Sequence, residues 1–348
     1  MGIKRKSSLL FAALTVASAS FVSAPAFAAE EEVNLYTTRE PRLIIPLLES
    51  FTNDTNIKVN TVFVKDGLIE RVKAEGDKSP ADILMTVDIG NLIDLVEADV
   101  TQPVDSDVLR EAIPANLRGE DDQWFTLSLR DRVAYVAADL DVNELHYEDF
   151  ADPKWKGKVC IRSGQHPYNT ALIAAKIAHD GAEATEEWLR GVKANLGRKA
   201  AGGDRDVARD ILGGICDIGI ANAYYVGRMK NAEPGSDAHK WGESIKVVRP
   251  TFASDSSSGT HVNISGAALA KHAPQKENAI KLLEYLVSDT AQSLYAKANY
   301  EYPVKAGVEL DEVVASFGEL KVDPMPLTEI AKHRRQASEL VDKVGFDN

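Results

Sequence analysis

Cysteine is nearly absent from this 348-residue chain: Cys160 and Cys216 are the only two. With no CxxC pair and no paired histidine spacing beside them, a cysteine-built zinc module is excluded, as is a disulfide-dense scaffold. Histidine is sparse as well. The 7 residues His146, His166, His179, His239, His261, His272 and His333 are scattered without ligand spacing, and His166 alone draws notice through its neighbours. Positive charge is in deficit, 40 Lys+Arg against 53 Asp+Glu for a net −13, which argues against nucleic acid as a partner. Catalytic signatures are missing too. No GxSxG, HExxH, P-loop or strand-following GxGxxG occurs, so the chain is expected not to be an enzyme.

What is present begins at the N-terminus. Lys4-Arg5-Lys6 precede an apolar run from Leu9 to Val22, then Ala24-Pro25-Ala26-Phe27-Ala28 and an acidic Glu30-Glu31-Glu32. A basic start, a short apolar stretch and small residues at Ala26 and Ala28 predict a signal peptide over 1–28 and hence a periplasmic location. No later run is apolar enough to span a bilayer. Removing the leader takes away three positive charges, so −13 becomes −16 for the remaining chain. At roughly 320 residues that remainder exceeds the size at which one core usually keeps growing, so two lobes are expected.

From residue 33 strands and helices alternate. Val33–Thr37, 57–64 and 81–87 read as strands, with helices marked by Leu43 to Phe51, Leu68 to Val72 and Leu92 to Val96 between and after them. This is an α/β pattern with a mostly parallel sheet. The apolar run from Trp124 to Ala138, interrupted by Arg130-Asp131-Arg132, is too long for one ordinary strand and is predicted to cross between lobes. A second crossing is expected at His261–Ala270. Between them the pattern repeats, with strands at 159–161, 215–221 and 245–248 and helices at 169–179, 183–195 and from Asp204; helices near 275–297 and 326–345 close the chain. Ser254–Gly259 reads as a flexible loop. The predicted lobes are 29–128 with 262–310 and 129–261 with 311–348, joined by two hinge crossings around a ligand cleft. In an exported, oxidised protein, Cys160 and Cys216 would form a disulfide if their strands are neighbours.

Tyrosine carries the functional signal. Tyr224 and Tyr225 follow the apolar segment Gly219–Asn222, and Tyr168 follows Cys160-Ile161-Arg162; both places are carboxyl ends of strands, where α/β proteins bind ligands. If the two cysteines meet, three phenols converge. Phenolate is a hard oxygen donor suited to a trivalent cation, and three would balance Fe³⁺. An anion completing the coordination would need positive partners, for which Arg39, Arg130 and Arg132 are candidates. The same groups could instead hold a small organic cation or a phosphorylated solute.

At these residues the sequence resembles the periplasmic ferric ion-binding proteins, in particular those with a tyrosine-rich site. The likeness runs through Leu35–Ile44, Glu75–Leu92, Trp155–Ser163 and Asn222–Tyr225, and covers nearly all of the chain after the leader. It implies a two-lobed periplasmic binding-protein fold with the ligand cleft between the lobes. It further implies Fe³⁺ as cargo held by Tyr168, Tyr224 and Tyr225, a synergistic anion such as carbonate near Arg39 and the crossing arginines, weak ferric chelates as a source, and delivery by a monomer to an ABC permease and its ATPase. Where other members place an Arg-His pair after the first strand, this chain has Arg39-Glu40-Pro41; where others use a Glu in the loop of the third strand, it has Val87-Asp88. Those ligands do not transfer, although Glu40 could serve as an oxygen donor.

Overall fold

The computed structural model describes residues 1–2 and 31–348; the leader expected at 1–28 lies, apart from Met1 and Gly2, outside them. Among the described residues no helix is long and apolar enough to cross a membrane. Among the described residues ten strands run in chain order as β1 (Glu32–Thr37), β2 (Lys58–Phe63), β3 (Ile83–Val87), β4 (Thr101–Gln102), β5 (Phe125–Ala137), β6 (Val159–Cys160), β7 (Ile218–Asn222), β8 (Ile245–Val248), β9 (Val262–Ala270) and β10 (Tyr302–Pro303). Their spatial order is β2-β1-β3-β9-β5-β7-β6, with β4 on β9 and both β8 and β10 on β5.

Strand β1 is parallel to β2 and β3, because the helices Ile45–Thr55 and Leu68–Glu75 carry the chain back between them. Leu47, Leu48 and Phe51 form the buried stripe of the first helix, as their 3.6-residue spacing predicts.

The long apolar run becomes the 13-residue strand β5, buried at every position but the last. It belongs to two sheets in succession. Phe125 to Asp131 pair antiparallel with Ala267 to Val262 of β9. From Arg132 onward the partners are β7, with Arg132 opposite Asn222, and β8. The predicted crossing therefore falls between Asp131 and Arg132. The return crossing differs from the expectation at His261–Ala270. All of β9 pairs within the first sheet, and the chain changes lobes just before it, where Arg132 N donates to His261 O at 3.0 Å.

Three further segments depart from the sequence reading. Cys216 lies in the turn before β7, because Gly213 and Gly214 end the preceding helix, with Gly214 at φ 72°. The helix expected over 326–345 is two, Leu327–Lys332 and Arg334–Val344, joined at His333. The loop 254–259 is tied down at one end, where the buried Ser258 hydroxyl bonds both the amide and the carbonyl of Phe252.

A small core beside the main one includes Val133, Tyr135, Val207, Ile211, Val226 and Met229, and surrounds Cys160 and Cys216. Burying each large aliphatic side chain there contributes about 1.5–3 kcal/mol. That packing, with the disulfide inside it, fixes β6, β7 and the helix Tyr224–Lys230 as one block.

Candidate functional site

Cys160 and Cys216 are bonded, with Cα atoms 5.8 Å apart. β6 runs parallel to β7, Cys160 opposite Gly219, and a Cβ on Gly219 would run into the Cys160 carbonyl. The two strands consequently end side by side and deliver their following loops to one place.

After β6 the chain turns through Arg162 and Ser163 into the helix Pro167–Asp180. His166 caps this helix, its Nδ1 accepting from Tyr168 N at 3.2 Å, and Pro167 begins it without wasting an amide donor. Burial, then the nearby Arg162 charge, lowers the His166 pKa to about 4. The ring is therefore neutral near pH 7, as an accepting Nδ1 requires. The His166 and Tyr168 rings pack in a T-shaped arrangement, centroids 4.5 Å apart.

After β7 the helix Tyr224–Lys230 begins at once. Its entry is fixed by Asn222 N donating to Asp204 Oδ2 at 2.8 Å and Ala223 N donating to Asp131 O at 3.2 Å. Tyr224 and Tyr225 lie against each other, centroids 4.1 Å apart. Burial pushes the Tyr224 phenol well above its ordinary value, and the neighbouring phenols of Tyr168 and Tyr225 add to this, while Arg130 acts in the opposite direction. Tyr225 is raised by burial, Tyr168 and Asp204. The three sequence-predicted tyrosines thus form one electrostatic cluster.

The arginines divide by role. Arg130, 3% exposed, donates from Nη1 to the Tyr168 phenol oxygen at 3.3 Å and from Nη2 to Ile264 O at 2.5 Å; its Nε is buried without a partner. Arg39 is also buried, Nη1 on Ser265 Oγ at 2.5 Å and Nη2 on Glu301 Oε1 at 2.8 Å, with Nε again unpartnered. Arg132 is held by more partners than these two, although its Nε is likewise unpartnered. Its Nη1 donates to Asp204 Oδ2 at 2.6 Å and Asn222 Oδ1 at 3.0 Å, and its Nη2 to Asn169 Oδ1 at 2.5 Å, so its charge is compensated inside the second lobe, where it ties the Tyr168 helix to the end of β7.

Arg162 was not singled out from the sequence. Its Cζ lies 5.2 Å from the Tyr168 ring centre, its Nη1 is 3.3 Å from Asp204 Oδ1, and its Nε has no partner. The available signal was its place directly after β6, in the same loop as Tyr168. Glu40 is exposed and paired with Arg42 at 2.7 Å. Asp88 is consumed as a helix cap, accepting from Gly90 N at 2.8 Å and Asn263 Nδ2 at 2.5 Å. Among the described residues no group of three or more His, Cys, Asp or Glu is arranged to hold a metal ion. A cavity of about 880 Å³ lies between the helices Ile89–Glu97 and Pro167–Asp180; it reaches Pro167 but none of the three tyrosines lines it.

This fold, with a polar site between two lobes, is that of a ligand-capturing protein, and comparison defines the class. The chain belongs to the bacterial extracellular solute-binding protein family, which matches residues 78–317. Iron uptake protein A1 of Synechocystis is 40% identical over 91% of this chain and 88% of its own. The solved structure of a Bordetella ferric binding protein superposes with a TM-score of 0.89 at 76% identity, covering 91% of this chain and 100% of that one. A Trichodesmium protein solved in complex with iron and citrate gives a TM-score of 0.85 at 41% identity, covering 90% and 99%. The resemblance to ferric-binding proteins read from the sequence holds across nearly the whole folded region.

Proposed function

We propose that this chain captures ferric iron in the cleft and delivers it to an ABC importer, acting as a periplasmic binding protein and not as an enzyme. The observation that carries the reading is the convergence of Tyr168, Tyr224 and Tyr225 beside the buried Arg130. The names of the Synechocystis and Bordetella relatives support the cargo. Three phenolates balance Fe³⁺, and a metal ion holds a phenol ionised far below its ordinary value of about 10.

A synergistic anion such as carbonate would complete the coordination, and the unpartnered Nε atoms of Arg130 and Arg39 suit that role. The Trichodesmium structure with iron and citrate supports an oxygen-rich anion beside the metal. Arg132 serves this site through Asp204 and Asn169. The lobes we assign keep the expected division, 29–128 with 262–310 and 129–261 with 311–348, with the first boundary moved to Asp131/Arg132, where β5 changes partners. Sheet membership of β1 to β3 and β9 against β6 to β8 supports that division.

The test is retention of cargo. The purified chain, stripped with acid and chelator, is incubated with ferric citrate, desalted and assayed for metal, beside parallel incubations with spermidine and glucose 6-phosphate. One tightly held iron per chain is expected. A chain that retains no iron and binds either organic solute overturns the reading.

A further inference from the structure

Two adjacent residues near the hinge face opposite lobes. Glu301 accepts from Arg39 Nη2 at 2.8 Å and also bonds the Ser128 hydroxyl, and Tyr302, next along, pairs with Leu129 in the first sheet. Glu301 is thereby part of the first lobe, fixed to β5 and to the arginine behind the site. Its neighbour Tyr300 turns the other way. The Tyr300 ring lies on Gly227, in the helix that begins with Tyr224 and Tyr225. A Cβ built on Gly227 would stand 2.6 Å from Tyr300 Cγ and Cδ1 and 2.7 Å from its Cβ. Glycine is required there because an aromatic ring from the other lobe occupies the space a side chain would need.

Two further features make this seat specific. Tyr300 adopts the left-handed conformation at φ 60°, which costs a non-glycine residue free energy unless its surroundings hold it. It also shares Arg228 with the site. The Arg228 Cζ lies 5.1 Å from the Tyr224 ring centre, and the same charge acts on the Tyr300 phenol. Arg228 Nη2 is buried without a hydrogen-bond partner, so the guanidinium has the Tyr224 ring as its contact there.

We propose that Tyr300 is a positioning residue for iron capture: seated on Gly227, it sets the distance between the Arg39–Glu301 pair of the first lobe and the tyrosine helix of the second. This rests on the ferric reading above. All three tyrosines belong to one lobe, so their mutual geometry does not depend on Tyr300. What depends on it is how closely the arginines and anion of the first lobe approach the metal. Loss of the seat should therefore speed iron release and leave the tyrosine-to-iron charge-transfer band in place.

The experiment measures release of iron from the ferric-loaded full-length protein to excess EDTA, following the visible band, for wild type, Tyr300→Gly, Tyr300→Phe, Gly227→Ala and the double variant Gly227→Ala with Tyr300→Gly. Tyr300→Gly relieves the left-handed backbone while removing the ring, so it tests the seat without imposing strain. Release about tenfold faster is expected for Tyr300→Gly and for Gly227→Ala, the size of a modest overpacking or lost contact. Tyr300→Phe should release at the wild-type rate, and Gly227→Ala should add nothing once the ring is gone. Unchanged release in Tyr300→Gly, or additive effects in the double variant, overturns the proposal. So does loss of the band in Tyr300→Gly, which would mean that the tyrosine geometry itself needs Tyr300. A wild-type protein without a band overturns the ferric reading and this proposal together, and a wild-type band with unchanged variant release overturns this proposal alone.

Discussion

Arg130 donates from Nη1 to the Tyr168 phenol oxygen at 3.3 Å, and its Cζ lies 5.3 Å from the centre of the same ring. The cation thus meets the phenol from the strand that crosses between lobes, placed to offset negative charge gathered there. Replacing it with Gln removes a charge-assisted hydrogen bond of about 1.5–3 kcal/mol. Arg130→Gln should weaken ferric binding by roughly 10- to 100-fold, measured by competition with a chelator. Unchanged affinity would remove Arg130 from the site.

Proton release follows from the same cluster. Burial and neighbouring phenols raise Tyr224 and Tyr225 above their ordinary value, so both are protonated in the metal-free protein near pH 7. Binding iron through them must expel their protons. A weakly buffered titration with ferric iron should release at least two protons per iron beyond those released by the iron salt alone, and affinity should fall as pH falls. Equal affinity at pH 5 and pH 8 would contradict phenolate ligation.

The ion pair behind the site is a stability element. Burial alone would push the Glu301 carboxyl up, but Arg39, Arg130 and the Ser128 hydroxyl overcome it and hold the group below the usual carboxylate range. A carboxylate with a depressed folded pKa stabilises above its unfolded value and loses that contribution as pH falls through the folded one. Glu301→Gln leaves the buried Arg39 uncompensated and should cost about 3–5 kcal/mol at neutral pH. Urea unfolding at pH 7 and pH 3 should show the difference from wild type shrinking in acid.

His261, buried where the chain re-enters the first lobe, has neither ring nitrogen hydrogen-bonded. Burial, against the pull of Asp323 and with the charges of Arg132 and His179, lowers its pKa to about 4. Between the unfolded value near 6.5 and that folded value, the unfolded chain takes up a proton that the folded one refuses, so stability declines as pH falls through this window. His261→Leu should flatten the decline between pH 6.5 and 4 in thermal midpoint measurements. An identical slope in the variant would show that other groups are responsible.

The disulfide encloses a sequence separation of 56 residues, for which chain-entropy reasoning gives about 4 kcal/mol of stabilisation. The double variant Cys160→Ala with Cys216→Ala should lower the unfolding free energy by an amount of that order and speed iron loss, because β6 and β7 carry Tyr168 and Tyr224 on either side of the bond.

Much of this was legible in the chain. The apolar run from Trp124 to Ala138, though interrupted by Arg130-Asp131-Arg132, announced a crossing because it is too long for one ordinary strand; 13 of its residues form β5, buried at every position but the last. Tyr224 and Tyr225 were recognisable because they follow the buried strand β7 directly. Other features were hidden by their range. Arg39 and Glu301 are 262 residues apart, and nothing local marks a charge whose partner arrives from so far away. Arg132 shared the strand and spacing of Arg130, yet Asp204 claims it, and only the fold brings Asp204 there. Cys216 was read into a strand because its apolar neighbours continue into β7, whereas the glycines at 213 and 214 delay the strand's start.

The most direct test of tyrosine-ligated ferric iron is the visible spectrum of the stripped protein after addition of ferric citrate, recorded for wild type beside Tyr224→Phe and Tyr225→Phe. A broad charge-transfer band in wild type, lost or shifted in both variants, is the predicted result; a wild-type protein that stays colourless, or variants whose band is unchanged, would contradict it.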